Sequence, residues 1–92
     1  LLNFPETAKQ DAGYQLHRVQ NGLEPENWKP FQNVGSGVKE IRLSDDSNAY
    51  RIMYVAKFFD KIYVLRSFQK TNPNDINIAK TRYNAIVREE LP

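Results

Sequence analysis

The chain contains no cysteine, which removes disulfides, thiolate metal sites and a thiol nucleophile and suits a reducing compartment. Histidine occurs once, at position 17, and the acidic residues Glu40, Asp45, Asp46 and Asp60 do not fall at a spacing that a metal site requires. No metal and no cofactor is therefore expected. No apolar run approaches the roughly 20 residues needed to cross a bilayer, and no signal-peptide layout opens the chain, so a cytoplasmic protein without membrane contact is expected. There is no G-x-G-x-x-G, no Walker A sequence and no nucleophile elbow. Gly35-Ser36-Gly37 is too short for a phosphate loop and reads as the place where the chain enters a sheet. His17, beside Gln15 and Arg18, reads as part of a solvated helix face.

What is present fits one α+β domain over residues 1–92. A chain of 92 residues with 40% hydrophobic and 12% aromatic content encloses one core without staples. Its net charge of +2 excludes little. The distribution is more informative: residues 1–37 carry three basic and four acidic side chains, residues 38–70 seven and four, and residues 71–92 three and three. A basic middle segment is the footprint of a nucleic-acid surface.

Pro5 suits the first position of a helix, and Ala8, Ala12, Leu16 and Val19 place an apolar stripe on it as far as about Asn21, with Gly22 as the stop. Leu23 to Gly37 shows no period and reads as a connection pinned by Trp28 and Phe31, aromatics that also suit a partner's binding site. Val38 to Leu43, Ala49 to Phe58 and Ile62 to Gln69 read as three strands of an antiparallel meander. Asn72, Pro73 and Asp75 have the chemistry of a helix start. Ile76, Ala79, Tyr83, Ile86 and Val87 then share one helical face.

Strand parity puts Arg51, Met53, Val55 and Lys57 on one side of the second strand. In the third strand it groups Ile62, Val64, Arg66, Phe68 and Lys70, and in the first Arg42 with Val38 and Glu40. Brought together, Arg42, Arg51, Lys57, Arg66 and Lys70 would form a cationic patch around Phe68. Metal-free RNA cleavage needs removal of the 2′-OH proton, stabilisation of the phosphorane and protonation of the leaving oxygen. Arginine suits the second task through its planar fork. A lysine among cations, its pKa pushed down, suits the role of base, and Phe68 suits stacking on a splayed base. The plain alternative is that these cations are a solvated sheet face whose stems cover apolar neighbours.

A series of short matches runs along almost the whole chain: Phe4-Pro5-Glu6 with Ala8, Gly13-Tyr14-Gln15-Leu16, Val19-Gln20, Gly22-Leu23-Glu24-Pro25, Trp28-Lys29-Pro30, Gly35 with Gly37-Val38, Glu40-Ile41-Arg42, Tyr50-Arg51, Tyr54-Val55-Ala56-Lys57-Phe58, Tyr63-Val64-Leu65 and Phe68-Gln69-Lys70. Together they resemble the phage-derived, HigB-like branch of the RelE/ParE toxin superfamily. The resemblance implies a RelE-like fold, with helices on one face of a twisted antiparallel sheet and a basic, concave opposite face. It implies the toxin of a type II toxin-antitoxin system, a ribosome-dependent mRNA endonuclease neutralised by a helix-turn-helix antitoxin, with operator DNA bound only through that antitoxin. Carried over by position, the resemblance assigns Arg51 to phosphate stabilisation, Arg42 to RNA contact, Lys70 to a catalytic or substrate role and Lys57 to the catalytic set. Arg66 is added to the candidate catalytic set, and Lys39, Phe68 and Gln69 to the candidate RNA contacts.

The sequence departs from that pattern at Arg66, where relatives carry histidine, and at Thr71, where they carry lysine. An arginine holds phosphate but does not exchange protons near neutral pH. Two alternatives therefore stand beside the endonuclease: a non-catalytic RNA- or antitoxin-binding module of the same fold, and a structural phage protein with no RNA role. The last predicts Arg42, Arg51 and Lys70 scattered or paired to carboxylates. Relatives also begin earlier, with a strand, so the expectation is either a sheet that lacks an N-terminal edge strand or a disordered start.

Overall fold

Pro5 stands one residue before the first helix, α1 (Glu6–Gln20), and not at its first position, in a computed structural model that describes residues 4–44, 48–58, 61–69 and 73–90, and of residues 57, 58 and 90 the backbone alone. Ala8 and Ala12 are buried along α1, with Leu16 and Val19 packed beside them. Gly22 ends the helix at φ 78°, a left-handed conformation that costs a residue without Cβ little. Leu23 N–H donates to Arg18 O at 2.9 Å and Gly22 N–H to Val19 O at 3.0 Å. These are the two bonds of a Schellman stop.

Four strands follow in sheet order β1-β2-β3-β4: β1 (Trp28–Pro30), β2 (Val38–Ser44), β3 (Ala49–Phe58) and β4 (Lys61–Phe68). All neighbouring pairs are antiparallel. The second helix, α2 (Pro73–Glu90), completes the order. The α+β class and the meander are as expected from the sequence. β1 lies inside the stretch read as a connection. At three residues ending in Pro30, it is too short to show alternation, and proline is tolerated there because β1 is an edge strand.

The helices, expected together on one face, lie on opposite faces. Ile41, Leu43, Tyr50, Ile52 and Tyr54 form one core with Phe4, Ala8 and Ala12. Val34, Val38, Met53, Val55, Leu65 and Phe68 form a second with Ala79 and Tyr83 of α2. β3 feeds both cores and is buried without interruption from Ile52 to Val55, the pattern of a strand covered on both sides. Tyr83 locks α2 to the entry of β2: its hydroxyl donates to Ser36 O at 2.9 Å. A Cβ on Gly35 would stand 2.3 Å from the Tyr83 ring.

β4 breaks the simple parity. Met53 pairs with Arg66 but Tyr54 pairs with Val64, so Leu65 is one residue too many. Such a bulge turns two successive side chains toward one face. Leu65 therefore fills the α2-side core while Arg66 keeps company with Met53, and Ile62 and Val64 belong to the α1 side. The grouping of Ile62 and Val64 with Arg66 and Phe68 is thus corrected. No helix among the described residues is long and apolar enough to cross a membrane.

Candidate nucleic-acid interface

Two cross-strand rows cross the α2 side of the sheet and give Met53 and Phe68 to the α2-side core. One runs Lys29, Glu40, Met53, Arg66 across β1 to β4, and the next runs Arg42, Arg51, Phe68 across β2 to β4. Residues directly opposite on antiparallel strands point to the same face. Register thus brings Arg42, Arg51 and Arg66 together, three of the five cations expected to cluster. Lys57 lies on β3 with its side chain outside the description, and Lys70 and Thr71 lie outside the described residues.

Each of the three arginines meets a carboxylate. Glu40, 2% exposed, accepts from Arg42 Nε at 3.3 Å and stands 3.6 Å from Arg51 Nε through the same oxygen, Oε1. Arg51 Nη1 also donates to Tyr50 O at 3.1 Å. Arg66 Nε donates to Oδ1 of Asp75 at 2.8 Å, in the first turn of α2. A buried carboxylate is costly unless paired, and like charges directly opposite on a ladder repel. Glu40 resolves both conditions at once, because two guanidiniums neutralise it while it screens them from each other. Among the described residues, three arginines stand against two carboxylates in the cluster, and Lys29, exposed on the same face, adds a further positive charge.

Arg42 and Arg51 are thus clustered and also paired to a carboxylate, so the feature that was to single out a structural protein is present in part. Phe68 is buried at 6% exposure opposite Arg51, where it packs the core. Gln69 is exposed beyond the end of β4 and donates to Asn48 Oδ1 at 2.8 Å. Lys39 stands apart, on the α1 side opposite Tyr54. Its Nζ sits 2.8 Å from Glu24 Oε1 and 4.6 Å from the Trp28 ring centroid. Phe31 packs on the α2-side core, with Lys29 Nζ 5.9 Å from its centroid. His17 is on α1, across the sheet from the arginines, with Nε2 3.2 Å from Asn21 Nδ2.

Glu40, Asp75 and Lys29 were not singled out from the sequence as members of the interface. The Glu-x-Arg spacing on β2 places Glu40 and Arg42 on one face, but the ion pair that Glu40 also makes with Arg51 depends on register. Asp75 reads as a helix-start acid and becomes an arginine partner only when α2 folds back.

A family model described as "Phage derived protein Gp49-like (DUF891)" matches residues 1–84. No match was found among curated proteins or among solved structures.

Proposed function

The chain belongs to the phage-derived Gp49-like family, a family of RelE/HigB-like toxin type, and on that footing we propose that it is the toxin of a type II toxin-antitoxin pair, a ribosome-dependent mRNA endonuclease that inhibits translation. It acts in the cytoplasm as one domain over residues 1–92, and its partners are the ribosome with its mRNA and a helix-turn-helix antitoxin through which it reaches operator DNA. The observation that carries this reading is the facing pair Arg42 and Arg51, flanked by Arg66 on the same sheet face. Two guanidiniums side by side supply paired donors for the non-bridging oxygens of a scissile phosphate, where charge grows in the transition state. Lys70 and Lys57 are the proposed proton-transfer groups, with Phe68 and Gln69 at the border of the RNA track and Lys39 as an outlying RNA contact.

A second reading draws on Arg66. Its bond to Asp75 fixes a permanently charged group where a proton-exchanging residue would serve acid-base catalysis. This favours a non-catalytic module of the same fold that binds RNA or an antitoxin. Expression of the full chain alone separates the two: growth arrest relieved by Arg51→Ala supports the toxin, and undiminished growth with a folded, soluble product supports the module.

A further inference from the structure

We propose that Glu40 is a positioning residue that presents the Arg42 and Arg51 guanidiniums to a phosphodiester, so that loss of its charge separates RNA binding from RNA cleavage. The inference rests on the endonuclease reading and deepens it. Glu40 is among the most buried side chains of the protein, yet its Oε1 is the common neighbour of Nε on two arginines from different strands. Arg42 donates Nε–H to that oxygen at 3.3 Å, and Arg51 is held by the ion pair at 3.6 Å together with the bond from its Nη1 to Tyr50 O, so both guanidinium planes are set before any ligand arrives. Such preorganisation raises a rate because the donors need not reorganise as charge develops.

The same carboxylate works against affinity. It removes one positive charge from a surface whose attraction for RNA is electrostatic, and each charge contributes to the salt dependence of binding. A group present only to hold the sheet together would affect binding and cleavage through folding alone. One that trades attraction for geometry moves them in opposite directions.

The test uses the full chain and Glu40→Gln, which keeps the shape and removes the charge. Three quantities are read: the ¹⁵N–¹H signals of Arg42 and Arg51 Nε, affinity for a short single-stranded RNA by fluorescence anisotropy, and ribosome-dependent cleavage. The expected result is displaced Nε signals, RNA affinity equal to wild type or tighter by up to about threefold with a steeper salt dependence, and cleavage slowed by about tenfold or more. If Glu40→Gln fails to fold, Glu40→Asp keeps the charge and withdraws it by one methylene; cleavage should then fall with binding unchanged. Binding and cleavage that weaken in parallel, or cleavage at the wild-type rate, would overturn the inference. Unchanged Nε signals overturn it whatever the RNA assays show. A wild-type protein that binds RNA but never cleaves it sinks the endonuclease reading and the proposed effect on cleavage, while the Nε signals still report whether Glu40 holds the two arginines.

Discussion

Arg42 and Arg51 face each other directly across β2 and β3, two like charges at one register position, and both turn Nε toward the same buried oxygen of Glu40. Side by side without a counter-ion they would repel, and Glu40 buried without them would be costlier still. The arrangement holds only as a set of three.

Stability of the arginine pair should therefore be non-additive. Arg42→Ala or Arg51→Ala alone leaves Glu40 with one partner and is expected to cost about 1 kcal/mol, whereas the double variant strands a buried carboxylate and should cost about 3–5 kcal/mol, more than the two single costs together. Urea unfolding of the four proteins checks this. Single costs that simply add would mean that Glu40 is not shared.

Gly35 should not tolerate a side chain. A Cβ there meets the Tyr83 ring at 2.3 Å, so Gly35→Ala is expected to destabilise by about 1–3 kcal/mol through overpacking. Combining it with Tyr83→Ala should cost less than the sum of the two single changes, because the obstructing ring is gone. Thermal denaturation of the single and double variants would show this coupling or its absence.

Arg66→His probes proton exchange. The imidazole would stand beside Asp75, which favours its charged form and raises its pKa toward or above neutrality. If the endonuclease is limited by lack of a general acid, this variant should cleave faster than wild type by about tenfold or more, and the advantage should fade as pH rises through the imidazole pKa. A slower variant with no such pH profile would mean that Arg66 serves the site through its permanent charge.

Tyr54 carries an alkaline prediction. Burial, and after it the Glu24 carboxylate, pushes its hydroxyl well above the ordinary value of 10.0. The unfolded chain releases that proton near the ordinary value while the folded chain keeps it. Below this pH the two states bind it equally. Above it the unfolded state binds fewer protons, and stability falls as pH rises. Tyr54→Phe removes the ionisation and should flatten the decline in urea midpoint between about pH 9.5 and 11; an equally steep decline in the variant would assign the loss to other groups.

Much of the fold was legible because local chemistry and tertiary packing agree. The stripe through Ala8, Ala12, Leu16 and Val19, the stop at Gly22, the long strand from Ala49 to Phe58 and the helix opening at Pro73 all appear where their residues predict. Placement of the helices was also encoded, since both parity sets of β3 are apolar around Ile52 to Val55, and a strand greasy on both sides needs cover on both. β1 and the Leu65 bulge were not readable, the first because three residues carry no period, the second because an extra residue shows only against its partner strand. The site follows the same division. Parity correctly joined Arg42 to Glu40 and Arg51 to Met53, but the carboxylates that hold the arginines depend on pairing between strands and on the return of α2.

The central claim is an arginine-paired endonuclease acting on translated mRNA, and primer extension on mRNA from translating ribosomes tests it most directly. Wild-type protein is predicted to produce cuts that require the ribosome and that Arg51→Ala abolishes, with Arg42→Ala weakening them. An uncut message in the presence of folded, full-length protein, or cuts that persist unchanged in Arg51→Ala, would contradict the account.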